Sequence, residues 1–116
     1  MIKKILDLHI HSKYSRACSP DLELPKIAKA CVQKGIDIVA TGDFTHPAWF
    51  QHIKDNLEEE NEGIYGLKFQ ISNDKCQTNV KNQISKTTFI LSTEVSCIYK
   101  HKDKTRRVHL LILAPN

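Results

Sequence analysis

No run of apolar residues in this sequence approaches the roughly 18 that a membrane-crossing helix requires. The start, Met1-Ile2-Lys3-Lys4, is basic, but Asp7 interrupts the short apolar stretch after it, so no secretory signal is expected. Cysteine is sparse and unpatterned. Cys18, Cys31, Cys76 and Cys97 form no C-x-x-C pair, which argues against the common structural zinc modules and fits small interior residues in a reducing compartment. A cytoplasmic protein with no membrane contact is the expectation. With four glycines in all, the chain has no glycine-rich phosphate loop, and it has no G-x-S-x-G elbow. Nucleotide hydrolysis of the Walker type and serine hydrolysis are therefore disfavoured, and Ser15 and Ser19 have no recognisable base partner in sequence. There is no internal repeat.

What remains is ordinary for one globular domain: 116 residues, 41% hydrophobic and 26% charged. That is short for a closed eight-strand α/β barrel, which takes about 250 residues. The formal net charge of +4 fits an acidic partner such as nucleic acid but is too small a surplus to identify one.

The chemistry concentrates in Asp7-Leu8-His9-Ile10-His11-Ser12. Following Ile5-Leu6, it reads as a short buried strand that delivers two imidazoles at its C-terminal end. At i and i+2 on a strand, His9 and His11 point to the same side, within reach of one divalent ion. Lys13 to Pro20 reads as a loop. Ser19-Pro20-Asp21 then suggests a helix start, Leu24, Ile27, Ala28, Cys31 and Val32 supply the apolar stripe, and Gly35 stands where a C′ glycine ends a helix. Ile36 to Ala40 is a second strand, so the first forty residues form a βαβ unit with parallel strands opening on one rim.

At that rim stand Thr41-Gly42-Asp43-Phe44-Thr45-His46-Pro47. Asp43 suits either a turn or a metal site, and His46 beside the His pair favours a ligand. A second helix is expected from about Pro47 to Glu60, with Trp49, Phe50, Ile53 and Leu57 as its core stripe, His52 exposed, and Glu58-Glu59-Glu60 as a solvated helix end. Residues 61–86 read as an irregular loop or insertion. Thr87 to Tyr99 and Arg107 to Leu113 form a hairpin around a turn at His101-Lys102-Asp103-Lys104. Glu94, set among apolar and β-branched residues, needs a partner, either Arg106 or Arg107 across the hairpin or a metal. His109 is likewise flanked by aliphatics.

The ordered set of His9 and His11, Gly42-Asp43-Phe44-Thr45-His46, Thr93-Glu94-Val95 and Val108-His109-Leu110 resembles the PHP (polymerase and histidinol phosphatase) metallohydrolase superfamily. The wording DLHIHSKYSRA, GIDIVATGDFTHPAW, STEVSCIY and RRVHLLILAP is most similar to its endonuclease Q branch, over residues 5–57 and 87–115. The resemblance implies an α/β fold, the N-terminal part of a distorted (β/α)7 barrel that is incomplete in this chain. Residues 1–116 would then be the N-terminal half of one metallohydrolase domain. A further histidine and a late Asp-x-His would come from a second half, which a separate gene could encode as a partner chain.

The same resemblance implies two or three divalent ions, zinc or manganese, with magnesium also possible. His9 and His11 would hold one, Glu94 would bridge two, His109 would hold the second, and His46 would belong to a third site, with Asp43 in the same motif. Glu94, His9 and His11 would carry catalysis. Arg16 stands where many members have an acidic residue or a histidine, which leaves the third site's composition open. The implied activity is nicking of DNA on the 5′ side of deaminated bases such as uracil and hypoxanthine, and at abasic sites. Lys13, Arg16, Arg106 and Arg107 would meet phosphates of the damaged DNA. Some members are described as helicase-related, although no Walker motif here supports unwinding. As a truncated form the chain would be inactive or partial. A phosphatase for a small phosphate ester and a non-catalytic remnant with exposed sheet edges are the alternatives.

Overall fold

The computed structural model describes residues 1–68 and 86–116. Most of the region expected to be an irregular connection, and Cys76 with it, lies outside the described residues.

Leu24, Ile27, Ala28 and Cys31 share one face at helical spacing, and burying that face makes helix α1 (Leu24–Lys34). Gly35 ends it as expected, with a left-handed φ of 72° and its N–H directed at the Cys31 and Val32 carbonyls. The start lies later than the sequence suggests. Asp21 pairs with Lys26 at 2.6 Å and Glu23 with Lys13 at 2.8 Å, so neither carboxylate caps the helix. The Leu24 N–H instead reaches Nε2 of His52 at 3.3 Å, a cap supplied by the next helix.

That helix, α2 (Pro47–Asn56), buries Trp49 and Ile53. Phe50, expected in the core, is 40% exposed, with the Lys54 ammonium 5.1 Å from its ring centroid. His52 is not the exposed residue expected. It is half-buried and stacked on the Trp49 ring at 4.9 Å. Burial pushes the His52 pKa down, outweighing the nearby Glu23 carboxylate. Because the folded value lies below the ordinary one of about 6.5, the neutral ring stabilises the fold above that pH, and the contribution is lost as pH falls through the lowered value. His52→Gln keeps an acceptor for Leu24 without titrating. Thermal melts from about pH 7.5 to pH 5 are expected to show the wild type losing stability more steeply than this variant; parallel curves would refute the assignment.

The acidic run does not end a helix. Leu57, anchored in the core, begins strand β3 (Leu57–Asn61), which turns at Glu62-Gly63 and pairs antiparallel with β4 (Ile64–Leu67), Leu57 opposite Leu67. Exposed glutamates suit an edge strand, whose open hydrogen-bonding groups they keep from other chains.

Parallel pairing joins β1 (Leu6–Asp7) to β2 (Ile38–Ala40), and β2 to β5 (Thr88–His101). β4 pairs antiparallel with β5 through Tyr65 and Phe89, giving a mixed sheet in the order β1-β2-β5-β4-β3. The first strand is shorter than expected and is not buried, since Leu6 at the sheet edge is 49% exposed. The expected hairpin is present and long. β5 runs back as β6 (Lys104–Ala114) through Lys102 and Asp103, both at positive φ, a two-residue turn matched to strand twist. Leu110, Leu111, Ile112 and Leu113 on β6 are each 40–50% exposed, a surface of the kind other protein covers. Among the described residues no helix is long and apolar enough to cross a membrane.

Candidate metal centre

Parallel alignment brings the C-terminal ends of β1 and β2 to one rim, level with the middle of β5, the usual ligand-binding edge of parallel α/β sheets. Hydrogen bonds hold the segment after β2 against β5 there. Thr41 N–H donates to the Ile90 carbonyl, Ser92 N–H to the Thr41 hydroxyl, and Gly42 N–H to Ser92 Oγ. Thr41 and Ser92 are fully buried. The register of the rim is thereby fixed two residues before Glu94.

Trp49 pins the same segment from below, its indole N–H donating to the carbonyls of Thr41 and Gly42. Gly42 adopts φ 64°, and a Cβ there would sit 2.3 Å from the Ile10 carbonyl oxygen. A side chain at this position would therefore push the histidine segment off the rim. Asp43 follows, also at positive φ (45°), a conformation aspartate tolerates better than most residues.

His9 and His11 lie beyond the end of β1, and their placement comes from packing on the rim, not from strand alternation. Both nevertheless converge as expected. Nε2 of His9 lies 2.6 Å, and Nε2 of His11 3.3 Å, from Oε2 of Glu94, and ligand atoms of the three residues fall within 4.8 Å of one another. His109 Nδ1, from β6, contacts the other oxygen, Oε1. The hydrogen bonds from His109 and then His9 outweigh partial burial and hold the Glu94 carboxyl below the usual carboxylate range. Glu94 is thus partnered by histidines, not by the arginines across the hairpin. Arg106 and Arg107 pair with Tyr99 and Ile98 towards the tip, about 15 Å along a strand rising about 3.3 Å per residue.

Asp43 is held from several sides. Its Oδ2 accepts from Ser12 N–H at 2.7 Å, Ser12 Oγ at 2.7 Å and Ser15 Oγ at 2.8 Å, while Oδ1 lies 3.3 Å from His11 Nδ1. Burial pushes the carboxyl up, but these hydrogen bonds prevail and keep it below its ordinary value. Ser12 and Ser15 escaped sequence reasoning because short hydroxylated residues in a loop look like any turn. Their place directly after the His pair was the available signal.

His46 stands apart from the three converging residues. It caps α2 through Nδ1, which accepts from Trp49 N–H at 3.4 Å, and its ring stacks on Tyr14 at 4.5 Å. It does line, with Tyr14, Ser15, Asp43, Thr45, Thr93 and Glu94, a cleft of about 350 Å³ beside the histidine cluster. The basic residues are not gathered at this cleft. Lys13 is paired with Glu23, Arg16 lies exposed in the loop after the His pair, and Arg106 and Arg107 lie exposed towards the hairpin tip.

The donor set suits a divalent transition metal. Two imidazole nitrogens and a carboxylate are borderline N/O ligands, and three such groups leave room for solvent or substrate on the ion. The approach of the His11 Nε2 lone pair to a carboxylate oxygen is repulsive unless a cation, either a proton or a metal ion, lies between them.

No family model matches the chain. Over 55 residues it is 42% identical to an uncharacterised protein of Methanocaldococcus jannaschii, covering 47% of this chain and 7% of that protein. Its fold is similar to the crystal structure of the lesion-specific endonuclease PfuEndoQ from Pyrococcus furiosus. The TM-score is 0.59 with 29% sequence identity, over 77% of this chain and 18% of that one. An endonuclease Q in complex with a 27-mer duplex substrate bearing an abasic lesion at the active site is similar at TM-score 0.58, with the same identity and coverage. The chain thus spans a small part of the proteins it resembles.

Proposed function

We propose that this chain carries part of the active site of a metal-dependent phosphodiester hydrolase of the endonuclease Q type, acting in the cytoplasm on DNA with deaminated bases or abasic sites. The observation that carries the proposal is the convergence of His9, His11 and Glu94 on one point of the rim, in a chain whose fold is similar to endonuclease Q. In this reading the described sheet is the N-terminal part of a distorted (β/α)7 barrel of PHP type. His9 and His11 would hold one ion and His109 a second, with the Glu94 carboxylate between them, and His46, which faces the adjoining cleft, would belong to a third. Zinc or manganese bound there would lower the pKa of a coordinated water and neutralise charge on the phosphate. The protein's part is to fix ligand spacing through Glu94 and to offer the cleft beside it to the strand. Arg16, Arg106 and Arg107 are exposed and free to meet the DNA backbone at a distance from the reacting phosphate.

The test is strand cleavage in manganese or zinc, comparing duplexes carrying one uracil, hypoxanthine or abasic site with an undamaged duplex. A cut on the 5′ side of the lesion that requires the metal supports the proposal. Cleavage indifferent to the lesion, or release of phosphate from histidinol phosphate with DNA left intact, would overturn it.

A further inference from the structure

The contacts of Asp43 leave little room for it as a direct metal ligand. Three donors already occupy Oδ2, two from Ser12 and one from Ser15, and Oδ1 faces an imidazole nitrogen. What the arrangement does define is the state of His11. Two groups lie against its Nδ1: Asp43 Oδ1 at 3.3 Å and Ser15 Oγ at 3.4 Å. The carboxylate can only accept. Ser15 has committed its hydroxyl proton to Asp43 at 2.8 Å, so towards His11 it too presents a lone pair. Both neighbours of Nδ1 are therefore acceptors. Nε2 also faces an acceptor, Glu94 Oε2 at 3.3 Å, but of the two carboxylate contacts only the Nδ1–Asp43 approach has hydrogen-bond geometry, so the proton of the neutral ring belongs on Nδ1 and Nε2 is left to share a cation with Glu94.

We propose that Asp43, braced by Ser12 and Ser15, is a positioning residue that locks His11 as the Nδ1–H tautomer and aims the unprotonated Nε2 at Glu94. The proposal rests on the reading of His11 as a metal ligand, and it gives the Gly42-Asp43 turn a purpose. Positive φ at both residues turns the Asp43 carboxylate towards Ser12, while Gly42 lets the histidine segment approach closely enough to be gripped. A carboxylate that orients a ligating histidine from behind is a recurrent device, and losing such a partner commonly costs 10–100-fold in metal affinity.

Asp43→Asn separates orientation from folding. The amide oxygen can take the place of Oδ2 and keep the Ser12 and Ser15 hydrogen bonds, and asparagine tolerates the same positive φ. Its NH₂ group would then face His11 Nδ1, which must become the acceptor, moving the proton to Nε2 and removing the ligand lone pair. Imidazole ¹⁵N chemical shifts of the metal-free chain, followed towards alkaline pH until they no longer change, read the tautomer directly, with His11 assigned by comparison with His11→Gln.

The expected result is Nδ1–H in the wild type, Nε2–H in Asp43→Asn with a cooperative melt retained, and zinc affinity of the variant lowered about 10–100-fold by calorimetry. An Nε2–H signal for His11 in the wild type overturns the proposal without any variant. So does an Asp43→Asn chain that binds zinc as tightly as the wild type. An Nδ1–H wild type that inverts in Asp43→Asn but binds no zinc in either form upholds the positioning of the ring and overturns the metal reading instead.

Discussion

Glu94→Ala is expected to lower the affinity for zinc or manganese by more than ~100-fold, beyond the loss that removing an outer partner of a ligand causes, while the chain still folds. The carboxylate is the common point of the cluster: His9 and His11 approach one oxygen and His109 the other. Without it three imidazoles remain, with no negative charge to offset a divalent ion and nothing to bridge His109 to the other two. The fold should tolerate the change because the histidines that face Glu94 are themselves partly open to solvent and can turn to water. Glu94→Gln keeps the shape and removes the charge, and is expected to bind metal almost as poorly. Titration calorimetry together with thermal melts checks both halves. Retained affinity in either variant would remove Glu94 from the centre, and a large drop in melting temperature would make it structural.

Trp49→Ala should produce the largest loss of stability of any substitution on α2, about 3–5 kcal/mol. Trp49 is fully buried, stacks on His52 and meets the edge of Tyr14. Against a total of about 5–15 kcal/mol for a typical domain, that loss leaves a marginal fold. The more instructive variant is Trp49→Phe. It keeps most of the apolar volume but strips the N–H from the Thr41 and Gly42 carbonyls, at a cost of about 1–3 kcal/mol. Since those carbonyls belong to the turn that presents Asp43, metal affinity should fall in Trp49→Phe even where the chain remains folded. Urea unfolding with parallel zinc titrations tests this. A stability loss with undiminished affinity would show that the turn does not depend on the indole.

The sequence revealed ligand types more readily than their supports. His9 and His11 stood out as a His-x-His pair at a strand end, Glu94 and His109 as polar groups costly among aliphatic neighbours, and the structure brings all four together. The hairpin was equally legible, since two runs rich in aliphatic and β-branched residues flank the polar turn His101-Lys102-Asp103-Lys104. What stayed hidden depends on contacts across many residues. The glutamates of β3 looked like a helix end because charge reports exposure and not backbone period, and their strand exists through pairing with β4. His52 became a cap for α1 only once the two helices packed. Arg106 and Arg107 seemed natural partners for Glu94 until the register placed them near the tip. Ser15, which had no partner along the sequence, finds two in space, Asp43 and His11.

The most direct measurement is an anomalous difference map from crystals of this chain grown with zinc or manganese and recorded at the corresponding absorption edge. A peak is expected about 2.0–2.3 Å from Nε2 of His9, Nε2 of His11 and a carboxylate oxygen of Glu94. A fully occupied metal elsewhere on the chain with none at that point, or no bound metal at all, would contradict it.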